Sequence, residues 1–232
     1  MVSKPEIQPQ DISSQSKRYV LVANSNGGCG KSTIATNLAA GYAQLGFKTA
    51  LIDIDSQLSS MQWLKKRPAN CPKIFGFNRS PSGDLKDWKA DIPDDTERIV
   101  IDTPSDMQGR DLFDYIDRID DIVVPIMPSE QGIRSASQYL SDIFSYHGFS
   151  ESHRRAFLVG NRLTKQNEYR ERLAQFLKQM SAQDLILLPD SYIFLRCGDE
   201  GRGVADLKAY ANYKLAITNM AKLIFMIENP NA

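Results

Sequence analysis

Ten residues, Asn24-Ser25-Asn26-Gly27-Gly28-Cys29-Gly30-Lys31-Ser32-Thr33, constrain this chain more than any other stretch. They follow the apolar run Tyr19-Val20-Leu21-Val22-Ala23, whose unbroken hydrophobicity reads as a strand buried on both faces. They precede Ile34 to Ala43, which reads as a helix with its apolar side on a sheet. Strand, glycine-rich turn and helix, in that order, is the setting in which Gly-Lys-Ser-Thr becomes a phosphate site. The glycines let backbone N–H groups turn inward around an anion, and the helix N-terminus adds its partial positive charge. Lys31 offers a full charge to the outer phosphates, and Ser32 a hydroxyl to Mg²⁺. A glycine-rich turn without a ligand is the bland alternative, and Gly-Lys-Ser-Thr in this setting argues against it.

The rest of the chain alternates in the same way. Lys48 to Asp55 reads as a second buried strand, with Asp53 and Asp55 at its C-terminal end, where ligands sit in open α/β sheets. Further strands are expected at Arg98 to Pro104 (with Asp102), Asp121 to Ile126, Arg155 to Asn161 and Leu185 to Asp190. Helices are expected over Leu58 to Lys66, around the acids between Asp106 and Asp121, from Pro128 through Phe144, over Glu168 to Met180, and from about Asp206 to Ile227. Residues 68–97 read as irregular, with a short strand at Lys73 to Phe77 and a short helix at Leu85 to Trp88; Tyr192 to Gly203 reads as a loop. The pattern predicts an α/β P-loop NTPase, a mostly parallel, doubly wound sheet with helices on both faces. Met1 to Lys17 is polar and reads as a flexible tail, and residues 18–232 as a single domain. The 28 basic and 28 acidic residues leave no global basic field to mark a nucleic-acid binder. Three scattered cysteines show no metal-ligand spacing and suit a reducing cytoplasm. No signal peptide or bilayer-spanning run is visible, and no membrane partner is expected.

The loop is a variant. In GxxxxGK(S/T) the first residue is glycine; here it is Ser25, and Gly27-Gly28-Cys29-Gly30-Lys31-Ser32 instead resembles the deviant Walker A motif KGGxGK(S/T) of the ParA/MinD family of ATPases. Asn37-Leu38-Ala39 and Asp53-Ile54-Asp55-Ser56-Gln57 are similar to that family's next signatures. Asp102-Thr103-Pro104-Ser105 stands where the family has D-x-P-P, and Asp121 to Ile126 resembles its V-x-P-V strand. The resemblance implies ATP and Mg²⁺ as ligands and a homodimer with two nucleotides sandwiched between its copies. It implies that Asn26, Gly27, Gly28, Cys29, Gly30, Lys31, Ser32 and Thr33 cradle the phosphates, and that Lys31 and Asp55 serve hydrolysis, Asp55 through the attacking water. Ser32, Asp55 and Asp102 would approach the metal, while Asp53 is either structural or an aid to the metal shell. Asn161 would pair with adenine, with Pro189 and Asp190 on the base side. In one departure, Asn26 occupies the place of a lysine that reaches across the family's dimer. Arg134 is either its replacement or a plain surface arginine.

What such a switch grips depends on the branch. The ParA branch holds DNA without sequence preference through basic residues of its C-terminal half, which correspond here to Arg162, Lys165, Arg170, Arg172, Arg196 and Arg202, with Arg196 the best match. A solvated charged face is the alternative for each. The MinD branch ends in a basic membrane-binding helix, whereas Leu223 to Pro230 is apolar and nearly free of cations, so it is expected to pack on the core. Carboxylate-activating synthetases of the dethiobiotin and cobyrinate type share the loop but would need an added substrate pocket or a glutaminase domain, for the latter of which 232 residues are too few, and the motif order is closer to that of ParA. The nitrogenase iron protein needs paired cysteines that are missing here. The expectation is a ParA-like, cytoplasmic and nucleoid-associated ATPase. It would bind nonspecific DNA and an adaptor or activator protein with a short basic segment, and position a plasmid or chromosome locus or a protein body. The compact chain and Cys-Gly-Lys-Ser loop are similar to carboxysome-positioning members of the family.

Overall fold

Aliphatic runs that alternate with amphipathic segments build a parallel sheet between two helical layers. The computed structural model describes residues 17–79, 91–150, 154–164, 168–180, 186–207 and 213–229. Within these, the strands are β1 (Arg18–Val22), β2 (Thr49–Asp53), β3 (Ile74–Asn78), β4 (Arg98–Asp102), β5 (Asp121–Ile126), β6 (Arg155–Leu163) and β7 (Ile186–Pro189). They lie in the order β3-β2-β4-β1-β5-β6-β7, every pair parallel. The helices are α1 (Lys31–Gln44), α2 (Ser59–Lys65), α3 (Gly109–Ile116), α4 (Glu130–Ser145), α5 (His147–Ser150), α6 (Tyr169–Met180), α7 (Tyr192–Glu200) and α8 (Lys214–Glu228), with a 3₁₀ turn at Val204–Asp206.

Strand residues point alternately to the two faces. Val20, Val22, Leu51 and Val100 meet α1, α2, α7 and α8 in one core. Leu21, Ile52, Ile101 and Val124 meet α3, α4 and α6 in the other. Each fully buried aliphatic side chain contributes about 1.5–3 kcal/mol, which is why the two-faced strands were readable as continuous apolar runs. The C-terminal helix packs as expected: Met220, Leu223, Ile224 and Ile227 are buried in the first core.

At the N-terminal end of the sheet a charged network anchors α8. The buried Arg98 donates to Glu228 Oε1 at 2.9 Å and Oε2 at 2.7 Å, and its guanidinium lies 4.1 Å from the Phe47 ring centroid. Asp121 accepts from Arg18 and Arg155, and Arg155 also donates to the carbonyls of Met226 and Ile227.

Three expectations need correction. Tyr192 to Gly203 is no loop: α7 forms there because the Ser191 hydroxyl accepts from Ile193 N and Gly201 ends the helix at φ 65. A Cβ at Gly201 would lie 2.4 Å from the main chain of Lys66 and Arg67, so the residue also lets α7 approach the end of α2. The last helix does not begin near Asp206, whose carboxylate is instead held by Arg67 and the Gly203 N–H; it begins at Lys214. Strand β6 runs past Asn161 to Leu163. The expected tail up to residue 16, the Leu85 to Trp88 helix and Lys165 lie outside the described residues.

Candidate functional site

The loop between β1 and α1 is fixed at its start by Asn24. This buried side chain donates from Nδ2 to Pro125 O at 2.6 Å and accepts at Oδ1 from Asn26 N at 3.1 Å, tying the loop to the end of β5. The turn is completed by Gly28 at φ 71 and Gly30 at φ 98. Gly30 is the N-cap of α1, and no side chain caps that helix. Its first turn therefore has no capping side chain at the point where the helix end favours an anion. Lys31 is 7 % exposed and folds back over the loop, with Nζ 3.4 Å from Asn26 O. Cys29 is fully buried, and burial pushes its thiol up from the usual range.

The acids lie at the ends of the neighbouring strands. Register pairs Asp53 of β2 with Asp102 of β4, and Asp102 with Val22 of β1, just before the loop. Asp102 is fully buried; its Oδ2 accepts from Ser60 Oγ at 2.6 Å, while its Oδ1 has no hydrogen-bond partner. Burial raises its carboxyl to about 7; the hydroxyls of Ser60 and Ser32 oppose this, Asp53 adds to it and Lys31 opposes it. Asp53 accepts from Asp55 N and from Met61 N, so both of its oxygens are spent on main chain. Asp55 is half-buried, and among the described residues its carboxylate accepts from Gln57 N alone.

A buried carboxylate oxygen without a partner, beside a serine hydroxyl at a phosphate loop, fits Mg²⁺. That ion takes oxygen ligands and binds through one or two carboxylates plus substrate phosphates. No group of three or more metal-ligating side chains occurs among the described residues, so an all-protein cage is absent from them.

On the base side, Asn161, Pro189 and Asp190 share the wall of one cavity of about 370 Å³ with Thr33, Arg162 and residues of α7 such as Tyr192. Neither Lys31 nor Asp102 lines it, so it adjoins the phosphate loop rather than containing it. Asn161 is buried, and its Nδ2 donates to Cys29 O at 2.8 Å. Several of the arginines expected to contact DNA already have partners. Arg162 belongs to the cavity wall, Arg196 pairs with Glu200 at 2.7 Å, and Arg202 reaches Cys71 Sγ, Asn70 and the same Glu200. On α6, Arg172 lies over the Tyr169 ring and Arg170 is exposed. Arg134 is exposed on α4 and pairs with Glu130 at 3.0 Å.

Sequence reasoning missed Asn24 and Ser60, which position the loop and the acid. It also missed the second bond of Asn37: Nδ2 donates to Thr33 O, and Oδ1 accepts from Val204 N. A polar residue ending a buried apolar strand was the one available signal for Asn24.

A parallel sheet with a glycine loop after its central strand, an uncapped helix behind that loop and buried acids on the adjoining strands is the architecture of a P-loop nucleotide-binding protein. Residues 20–225 match the family model described as the CobQ/CobB/MinD/ParA nucleotide binding domain, and the chain belongs to that family. It is 30 % identical over 128 residues to the maintenance of carboxysome distribution protein A of Halothiobacillus neapolitanus, a match covering 53 % of this chain and 57 % of that protein. The chain thus spans little more than half the length of this curated relative. Among solved structures it is similar to an ATP complex of Cyanothece McdA (TM-score 0.69, 15 % identity, 90 % of this chain and 96 % of that one). It is also similar to a plasmid partition protein from Borrelia burgdorferi (TM-score 0.61, 17 % identity, 81 % and 96 %). At such identities the structural likeness speaks for the fold.

Proposed function

We propose that this chain is a ParA-type ATPase that binds ATP with Mg²⁺, dimerises around it and rides nonspecific DNA to position a cargo, a protein body such as a carboxysome or a plasmid or chromosome locus. The observation that carries the nucleotide part is the buried Asp102, with one oxygen unpartnered, on the strand next to a phosphate loop whose lysine has no carboxylate partner among the described residues. Ser32, Asp55 and Asp102 would hold Mg²⁺, which supplies charge neutralisation between the outer phosphates. Lys31 swings from the Asn26 carbonyl to the phosphates. Asp55, whose carboxylate keeps acceptor capacity, orients the attacking water. Asn161, Pro189 and Asp190 take the adenine.

The names of the relatives support the positioning part. The burial of one face of α8 also weighs against a membrane-binding helix there. No described helix is long and apolar enough to cross a membrane. Arg162, Lys165, Arg196 and Arg202 remain the proposed DNA contacts, and an adaptor protein stimulates hydrolysis in a nucleoid-associated, cytoplasmic setting.

The test is binding to nonspecific duplex DNA with ATP, with ADP and with no nucleotide, over a salt series. ATP-dependent binding that weakens steeply with salt is expected. ATP hydrolysis without DNA binding in any state would overturn the positioning role on DNA and turn attention to liposomes and carboxylate substrates.

A further inference from the structure

Asn161 lies at the meeting point of the base cavity and the phosphate loop. It is 4 % exposed, and its Nδ2 donates to Cys29 O at 2.8 Å, bridging 132 residues of chain. A Cβ built on Gly30 would lie 2.2 Å from the same Nδ2, so the amide presses against the loop where it turns into α1. That turn runs through φ 98 at Gly30, a conformation open to glycine but strained for other residues. Immediately after Asn161, Arg162 adopts φ 54, in the left-handed region that non-glycine residues seldom enter. The backbone of β6 is thus bent where the amide is aimed at the loop. The second N–H and Oδ1 of Asn161 make no hydrogen bond to the described residues, while the residue also forms part of the cavity wall.

We propose that Asn161 is a positioning residue for the phosphate loop. Its amide braces the Cys29–Gly30 turn from β6, so the grip on phosphates depends on it even when no base is present. The proposal rests on the reading of this loop as a triphosphate site. A side chain that only reads a base acts on nucleotides and leaves bare phosphate chains alone. A brace acts on both. With one N–H on the loop and the residue itself in the cavity wall, the same side chain links base occupancy to loop shape.

The deciding probe is inorganic tripolyphosphate with Mg²⁺, titrated by calorimetry beside ATP with Mg²⁺ into the wild-type chain, Asn161→Ala and Asn161→Asp. Asn161→Ala removes one buried hydrogen bond and leaves the Cys29 carbonyl unpaired. Tripolyphosphate affinity is expected to fall about tenfold. Asn161→Asp keeps the shape but turns a carboxylate toward that carbonyl, and is expected to lose at least as much. It also serves if the alanine variant does not fold. Loss for ATP beyond the loss for tripolyphosphate is the share owed to the base.

Tripolyphosphate affinity within about twofold of wild type in a folded variant would overturn the brace, as would a lowered melting temperature with unchanged affinity, the mark of a merely structural role. Wild-type protein that takes up neither tripolyphosphate nor ATP would overturn the triphosphate reading itself. That failure is visible before any variant is compared.

Discussion

Asp102 concentrates the chemistry of the site in one carboxyl group. Burial lifts it from an ordinary 3.8 to about 7, so near neutrality it is partly protonated, and a cation must displace that proton. The affinity for nucleotide with Mg²⁺ is therefore expected to rise between pH 6 and pH 8 and level off above, by up to about tenfold per unit on the acid side. Nucleotide binding measured in a chelator removes the metal and with it this pH dependence. Ser60→Ala deletes the donor to Oδ2 and moves the midpoint upward. An affinity that is flat across this range would refute the assignment. The same raised value links folding to pH. This group's contribution is fully present below pH of about 4 and is lost as pH rises through about 7, because the fold then carries a buried anion. The motif residues at this scale were legible because loop, lysine and serine are neighbours in sequence. Asn24, Ser60 and the Asn161 bond were not, since their partners Pro125, Asp102 and Cys29 lie 101, 42 and 132 residues away.

At the scale of elements, the strands were legible because burial on both faces leaves a continuous apolar run. Helix α7 was not, because it buries only Ile193 and Cys197 and leaves Tyr192 and Leu195 exposed, so its period is faint. Its caps, Ser191 and Gly201, were the better signal. Helix α8 was legible in its apolar half but not in what holds its end. Glu228 is 2 % exposed and meets Arg98, the first residue of β4, a pairing across 130 residues that no periodicity reveals. Removing one partner strands the other charge in the interior, so Glu228→Ala is expected to cost about 3–5 kcal/mol in urea unfolding. Replacing both, as Arg98→Met with Glu228→Leu, is expected to cost much less, since a well-packed apolar pair escapes the desolvation penalty. Equal losses for the single and the double variant would mean that the network around Arg18, Asp121 and Arg155 depends on this pair for more than its own charges.

At the scale of the whole molecule, the proposed sandwich dimer is a problem of charge. In the proposed dimer two facing nucleotides would bring several negative charges together, and each copy would offset them with Lys31, one helix N-terminus and the proposed Mg²⁺. The motif that the loop resembles would place a lysine before the paired glycines, and with it a further cation across the interface; here that position is Asn26, which is neutral and whose carbonyl holds Lys31 at 3.4 Å. The proposed ATP-dependent dimer is therefore expected to be weak. Asn26→Lys is expected to tighten it by about tenfold or more, a single added charge pair at short range being worth at least 1.4 kcal/mol when partly desolvated. Sedimentation of wild type and Asn26→Lys with ATP and with ADP reads this directly. A gain confined to ATP places residue 26 at the nucleotide-facing interface, and no gain removes it from there. Arg134→Ala completes the comparison. Its guanidinium is 81 % exposed and already paired with Glu130, so wild-type dimerisation is expected to survive the change; loss of the dimer would make Arg134 the replacement cation.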